Sequence, residues 1–258
     1  MPDYPLFTKL IKEKTNIDLT LYKETQMKRR LTSLRDKRGY DQFESYYHAI
    51  VNDQVLMEEF LDKMTINVSE FFRNAKRWEV LEKEILPELL KRNPHLRIWS
   101  AACSTGDEPY SIAMILSQLT DLKNVSILAT DIDEKILERA KKGIYTERAL
   151  KEVPERLKRR YFTYKDSLYT INDKLKKSIT FKAHNLLQDP YPKGFDLIVC
   201  RNVMIYFTSE AKEQIYHQFS DSLVNEGVFF VGSTEQIFTP EKYNLELLQT
   251  FFYQKSDS

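Results

Sequence analysis

At 258 residues, with 42% apolar and 30% charged side chains and a formal net charge of +1, the chain can form one large domain or a small one joined to a medium one. Its near-neutral balance gives no global field for nucleic acid, and no apolar run approaches the ~20 residues needed to cross a bilayer. The start, Met-Pro-Asp-Tyr-Pro, lacks the regions of a signal peptide, so a cytoplasmic location without membrane insertion is expected. Two cysteines, Cys103 and Cys200, and four scattered histidines give neither a disulfide framework nor metal-ligand spacing, so no metal is expected.

In chain order, helices are predicted over Pro5 to Thr15, Tyr22 to Arg38 closed by Gly39, Gln42 to Val51 and Val55 to Met64. In the second, Met27, Leu31 and Leu34 form one apolar stripe, flanked by Lys28 and Arg35 on one side and Arg30 and Lys37 on the other, with Arg29 pointing away. Lys23 to Arg38 holds seven basic residues against two acidic ones, a local balance of +5. This basic face is either a solubilising surface or a docking surface for an acidic partner. A longer helix follows over Lys76 to Lys91, with Pro87 as a kink or break.

Leu96 to Tyr110, Leu-Arg-Ile-Trp-Ser-Ala-Ala-Cys-Ser-Thr-Gly-Asp-Glu-Pro-Tyr, runs from an apolar strand through a tight turn into a helix. Thr105, Asp107 and Glu108 are candidates to cap that helix, Pro109 suits its first turn, and Ser111 to Leu119 continue it at helical spacing. A second strand, Val125 to Thr130, stops at Asp131, where a doubly wound sheet places an acid on ribose hydroxyls. The turn has only Gly106, so a pyrophosphate lacks a glycine-lined bed, and Glu108 competes with phosphate for the helix dipole. A cationic ligand with a ribose and no phosphate fits better, and S-adenosylmethionine answers that description.

Asp133 to Lys142 reads as a helix with an Asp N-cap and Gly143 past its end. Residues 144–182 look inserted: short helical pieces at Glu147 to Lys151 and Pro154 to Tyr161 precede β-type runs Tyr161 to Tyr164, Leu168 to Ile171 and Ser178 to Ala183, the last returning to the main sheet. Phe195 to Cys200 is a buried parallel-type strand, followed by a helix from Ser209 to Leu223 and a strand from Gly227 to Gly232. Asn244 to Leu248 and Thr250 to Gln254 can close the chain as a hairpin. If the strands before Cys103 and Cys200 are neighbours, both thiols belong at the cofactor crevice, as buried small hydrophobes rather than redox groups. The expected fold class is α/β: a doubly wound class I methyltransferase sheet with a terminal hairpin, preceded by a small all-helical N-terminal domain and carrying a small antiparallel β-subdomain. The domains are expected at 1–70, 71–93 as a linker helix, and 94–258 with the insertion at about 144–182.

Three segments, Asn67-Val-Ser-Glu-Phe-Phe-Arg73, Ser100-Ala-Ala-Cys-Ser-Thr-Gly-Asp-Glu-Pro-Tyr-Ser111 and Cys200-Arg-Asn-Val-Met-Ile-Tyr-Phe207, together resemble the chemotaxis receptor glutamate methyltransferases, the CheR family. The resemblance implies methyl transfer from S-adenosylmethionine to glutamate side chains on the cytoplasmic methylation helices of chemoreceptors, giving methyl esters and S-adenosylhomocysteine. It implies cofactor contacts at Asn67, Ser69, Arg73, Glu108, Asp131, Asn185, Leu186, Arg201 and Asn202, with Ser69 standing where many relatives have threonine. Arg73 and Tyr206 are the candidates at the reacting groups, Arg73 for a carboxylate and Tyr206 for the methyl or the acceptor. Lys28, Arg29 and Arg35 are the candidate receptor-recognition residues. Phe71, Phe72, Trp99, Tyr110 and Phe207 are expected to pack.

Enteric relatives carry a glycine-containing turn in the β-subdomain that docks on a receptor's C-terminal peptide, whereas Tyr164-Lys-Asp-Ser-Leu168 has none, so receptor recognition through the N-terminal domain of a monomer is expected. Two other classes share this pattern: a nucleic-acid methyltransferase using Lys23 to Arg38 on phosphates, and a non-catalytic S-adenosylmethionine-sensing adaptor. Arg-Asn-Val-Met after the fourth strand, in place of an Asn/Asp-Pro-Pro-Tyr/Phe turn, speaks against the first.

Overall fold

The spacing of Met27, Leu31 and Leu34 on one helical face leaves all three buried, and the same logic builds every helix before Thr65. The computed structural model describes residues 3–65 and 69–256. The chain divides into two compact units, one comprising Met1–Asn67 with Ile205–Ile215, the other Val68–Met204 with Tyr216–Ser258.

The first unit contains α1 (Asp3–Thr15), α2 (Glu24–Lys37), α3 (Phe43–Asn52) and α4 (Gln54–Met64). Asp53 starts α4 by accepting from the N–H groups of Val55 and Leu56. Phe7 lies at the centre, edge-on to Phe60 and against Phe43 and Tyr46. The later segment joins this unit through an antiparallel bridge between Tyr22 and Phe207. The N–H of Lys23 donates to the Tyr206 carbonyl (2.8 Å) and that of Thr208 to the Leu21 carbonyl (2.9 Å). This return of Ile205–Ile215 departs from the expected division of the chain at single points.

The helix expected to be a linker belongs to the core of the second unit: Trp78, Leu81, Ile85, Leu86 and Leu89 are all buried with the central sheet. It runs as α5 (Ala75–Val80), a π-helical turn (Leu81–Ile85) and α6 (Leu86–Arg92). Pro87 neither breaks nor ends it. The turn before it widens, with the Leu86 N–H reaching back to the Leu81 carbonyl, which relieves the clash a proline ring makes with the preceding turn.

The sheet strands are β1 (Arg97–Ala101), β2 (Ser126–Asp131), β3 (Ile144–Tyr145), β4 (Phe162–Lys165), β5 (Leu168–Ile171), β6 (Ile179–Ala183), β7 (Phe195–Cys200), β8 (Leu223–Val231), β9 (Leu245–Gln249) and β10 (Phe252–Lys255). Between them run α7 (Asp107–Leu119), α8 (Glu134–Lys142), α9 (Glu155–Tyr161), α10 (Asp173–Lys176) and α11 (Ser209–Ser222). Seven strands form the main sheet in the order β6-β2-β1-β7-β8-β10-β9. The first five are parallel and β10 lies antiparallel to both β8 and β9. Every residue of β7 is buried, as a strand covered on both faces requires. The terminal hairpin is present, with the later strand inserted between β8 and β9.

The inserted subdomain is a three-stranded antiparallel sheet in the order β3-β5-β4. Its third strand is the short β3, while β6 pairs with β2 in the main sheet, as the sequence suggested. Gly143 joins α8 to this subdomain in the left-handed region (φ 62°), and a Cβ there would lie 2.5 Å from the Ile171 Cγ2 atom. Gly143→Ala is therefore expected to destabilise the protein by about 2–3 kcal/mol, combining backbone strain with overpacking. A lowered urea midpoint with unchanged slope checks this.

Candidate functional site

Five parallel strands deliver their carboxyl ends to one edge, and consecutive connections depart in opposite directions between β1 and β7. Such a switch point opens a crevice. The turn leaving β1 is made of residues that fold back sharply: Ala102, Ser104 and Gly106 all have positive φ, 60°, 49° and 87°. At Gly106 space is tight as well, since a Cβ would lie 3.0 Å from the Ala140 Cβ. Gly106 is the N-cap of α7, with no side-chain cap, so Thr105, Asp107 and Glu108 do not cap the helix as expected. Thr105 donates instead to the Asp107 carboxylate. Asp107 is only 1% exposed, and burial raises its pKa.

Glu108 points to the other side. Its Oε1 accepts from the Ser100 hydroxyl (2.9 Å), and its Oε2 lies 3.6 Å from Nη1 of Arg201. Burial pushes the Glu108 carboxyl up to about 7 against the pull of Arg201. Arg201 follows β7, and its side chain is 3% exposed. Nη2 donates to the Arg73 carbonyl (2.7 Å), which also accepts from the Trp78 indole (2.9 Å). The guanidinium lies over the rings of Phe230 (4.8 Å) and Trp78 (5.4 Å), faces that attract a cation. Its Nε is buried with no hydrogen-bond partner among the described residues.

Asp131 ends β2, next to β1. One oxygen accepts from the Ser104 N–H (2.8 Å) and the other from the Asp133 N–H (3.1 Å), which leaves acceptor capacity for a hydroxylated ligand. Burial pushes this carboxyl up to about 6. Asn185 and Leu186 follow β6, one strand further out. The Asn185 side-chain oxygen caps its own turn by accepting from the Leu187 N–H (3.0 Å), and Leu186 is buried. Asn202 sits beside Arg201 with φ 62°. Ser69 lines a depression of about 320 Å³ with Thr105, Asp107 and Tyr145. Arg73 is half-buried, its backbone fixed by the two bonds just described. Asn67 lies outside the described residues.

Cys103 and Cys200 lie in or beside neighbouring strands and are 1% and 0% exposed; burial pushes both thiols far up, so they behave as small hydrophobes. Phe71, Phe72, Trp99, Tyr110 and Phe207 are buried packing residues, as expected. Tyr206 belongs to the helical unit, where the Arg30 guanidinium lies 4.8 Å from its ring centre. On the basic helix Lys28 and Arg29 are exposed and line a shallow groove of about 420 Å³ with Glu24, Thr25 and Thr32. Arg35 is drawn inward, over the Phe43 ring (4.6 Å) and onto Asp36 (2.7 Å).

One member of the cluster was missed from the sequence. Glu235, 5% exposed, accepts on a single oxygen from the N–H groups of Asn202 (2.6 Å) and Gly232 (2.9 Å). The available signal was Gly232-Ser-Thr-Glu235, an acid three residues past a glycine at the end of a buried strand.

Carboxylates thus outnumber the buried guanidinium around which they gather, and that guanidinium retains an unused N–H. Such a set suits a ligand carrying positive charge, hydroxyls and a carboxylate, which the chemistry of S-adenosylmethionine provides. Sheet order, terminal hairpin and crevice together define a class I S-adenosylmethionine-dependent methyltransferase. The chain belongs to the CheR family of chemotaxis methyltransferases: residues 67–252 match the CheR methyltransferase SAM binding domain, and residues 2–65 the CheR methyltransferase all-alpha domain. It is 49% identical to the chemotaxis protein methyltransferase of Listeria monocytogenes over 98% of this chain and 97% of that protein. The corresponding proteins of Borreliella burgdorferi and Salmonella typhimurium are each 34% identical, over 96% and 88% of this chain and 92% and 81% of theirs. The protein is thus an enzyme of S-adenosylmethionine-dependent methylation in chemotaxis. Among the described residues no helix is long and apolar enough to cross a membrane.

A carboxyl whose pKa is raised on folding holds more protons in the native than in the unfolded state between the two values. Glu108 therefore lowers stability as pH rises from about 4.5 towards 7. Unfolding free energies of the cofactor-free protein at pH 5 and pH 8 are expected to fall more for the wild type than for Glu108→Gln, which lacks that titration.

Proposed function

We propose that the methyl acceptors are glutamate side chains on the cytoplasmic methylation helices of chemoreceptors, and that the enzyme acts in the cytoplasm as a monomer, forming carboxyl methyl esters. The reading rests on Glu108 and Asp131, two desolvated carboxylates on one crevice edge, in a chain matching chemotaxis methyltransferases over both of its domains. When bound, S-adenosylmethionine supplies a methyl group made electrophilic by its sulfonium. Asp131 takes the ribose hydroxyls, Asn185 and Leu186 border the adenine, and Glu108 faces the cofactor's cationic side. Arg201 and Asn202 hold its polar end from the β7 side, with Asn67 and Ser69 contributing from the segment before Arg73.

An acceptor glutamate, with an ordinary pKa of about 4.3, is already ionised at neutral pH, so no general base is needed. The protein's work is to orient the acceptor oxygen and exclude water, effects that can supply about 7–11 kcal/mol of a barrier. Arg73 presents a planar fork to a carboxylate, and Tyr206, four residues beyond Asn202 in the chain, orients the acceptor. Nucleic acid is not the substrate in this reading. The test is transfer of a radiolabelled methyl group to receptor cytoplasmic fragments, with RNA as the competing acceptor. Label on the receptor that is released by mild alkali as methanol is the expected result; alkali-stable label, or label on RNA, would overturn it.

Lys28 and Arg29, both exposed on the basic face, recognise the acidic receptor surface, while Arg35 supports them from within the domain. Such steering is screened over about 8 Å at physiological ionic strength. Lys28→Glu with Arg29→Glu is expected to lower receptor methylation at least ~tenfold, with the loss shrinking as salt rises. Calorimetric affinity for S-adenosylhomocysteine should stay within about twofold of wild type.

A further inference from the structure

The turn after β7 carries Arg201 and Asn202, and Asn202 occupies the left-handed region, which asparagine tolerates better than most residues but which still benefits from outside restraint. What holds it comes from a different strand. Glu235 Oε2 takes the Asn202 N–H at 2.6 Å and the Gly232 N–H at 2.9 Å, so one oxygen staples the end of β7 to the end of β8. A third bond, from the Glu235 N–H to the Gly232 carbonyl (3.0 Å), fixes the glutamate's own backbone against the strand. The carboxylate lies directly over Gly232: a Cβ there would meet Oε2 at 2.3 Å and the Asn202 nitrogen at 2.9 Å. The placement of the glutamate thus requires the glycine. Hydrogen bonds from backbone N–H groups to an ionised carboxylate are about twice as strong as neutral ones, and this carboxylate is almost entirely buried.

We infer that Glu235 is a positioning residue of the cofactor site, which fixes the Arg201–Asn202 turn in its ligand-holding conformation by binding the ends of β7 and β8 with one carboxylate oxygen. The inference rests on the reading that Arg201 and Asn202 hold the cofactor. Glu235 itself acts through the backbone it restrains. A carboxylate at Glu235 also opposes the loss of charge on Arg201 that burial favours.

The experiment is isothermal titration of S-adenosylmethionine into the full chain, together with steady-state KM values for the cofactor and for a receptor fragment. Glu235→Ala is expected to raise the cofactor Kd and KM about tenfold or more, as loss of a buried charged hydrogen-bond acceptor implies, while the receptor KM stays within about twofold. Glu235→Gln retains an acceptor oxygen and should recover cofactor affinity to within about threefold to fivefold of wild type. Glu235→Asp keeps the charge but falls one methylene short, and should show the same split between the two KM values at smaller amplitude; it serves if the alanine variant does not fold. Unchanged cofactor affinity in the alanine and aspartate variants, or an equal rise in both KM values, would overturn the inference. Asp131→Ala separates the two claims. If it weakens cofactor binding while the Glu235 variants do not, only the staple fails; if neither weakens it, the crevice reading fails as well.

Discussion

A guanidinium out of water must be surrounded, and the surroundings of Arg201 organise this crevice. Removing one partner of a buried ion pair typically costs about 3–5 kcal/mol, because the other charge is left behind. Here the cation is met on several sides at once: Glu108 from the first turn of α7, the Arg73 carbonyl from the segment before α5, and the faces of Trp78 and Phe230. They come from three separate stretches of chain: 73–78, the start of α7, and β8. Satisfying this one charge therefore draws the segment before α5, the start of α7 and the end of β7 into register, and the crevice is what they enclose.

The parallel sheet makes that convergence possible. Strands running the same way end on the same edge, so Ser104, Asp131, Asn185, Arg201 and Glu235 meet although they are scattered over more than half of the sequence. Sharp backbone reversals keep the following segments from covering the edge. Ala102, Ser104, Gly106 and Asn202 all take positive φ, and the N–H groups of Ser104 and Asn202 each end on a carboxylate. The carboxylates thus have two duties: they shape the turns and they set the sign of the charge that a ligand encounters.

Much of this was legible in the sequence. Apolar periodicity located the helices before Thr65, and the strand-turn-helix at Leu96 to Tyr110, followed by an acid at Asp131, located two neighbouring parallel strands and the crevice edge where they end. Helix ends marked by Asp133 and Gly143 fell where capping chemistry puts them. Among the features that were not legible, three have a plain physical reason. Pro87 was absorbed by a π-turn, a backbone adjustment that leaves no residue signature. Arg35 was counted as surface charge because composition cannot reveal that a guanidinium lies on Phe43. Glu235 escaped because its partners are backbone N–H groups, and only Gly232 hinted that something must sit over the strand end.

The return of Ile205–Ile215 to the helical unit has a bearing on how the chain is made. A ribosome releases the four N-terminal helices long before Phe207 exists, so the early unit emerges with the backbone groups of Leu21, Tyr22 and Lys23 still awaiting their mates. Its completion waits until most of the catalytic sheet has been synthesised. The two units are consequently interleaved in time as well as in sequence, and the N-terminal portion is not a bead that could be clipped off or exchanged between relatives without leaving a gap in its own structure.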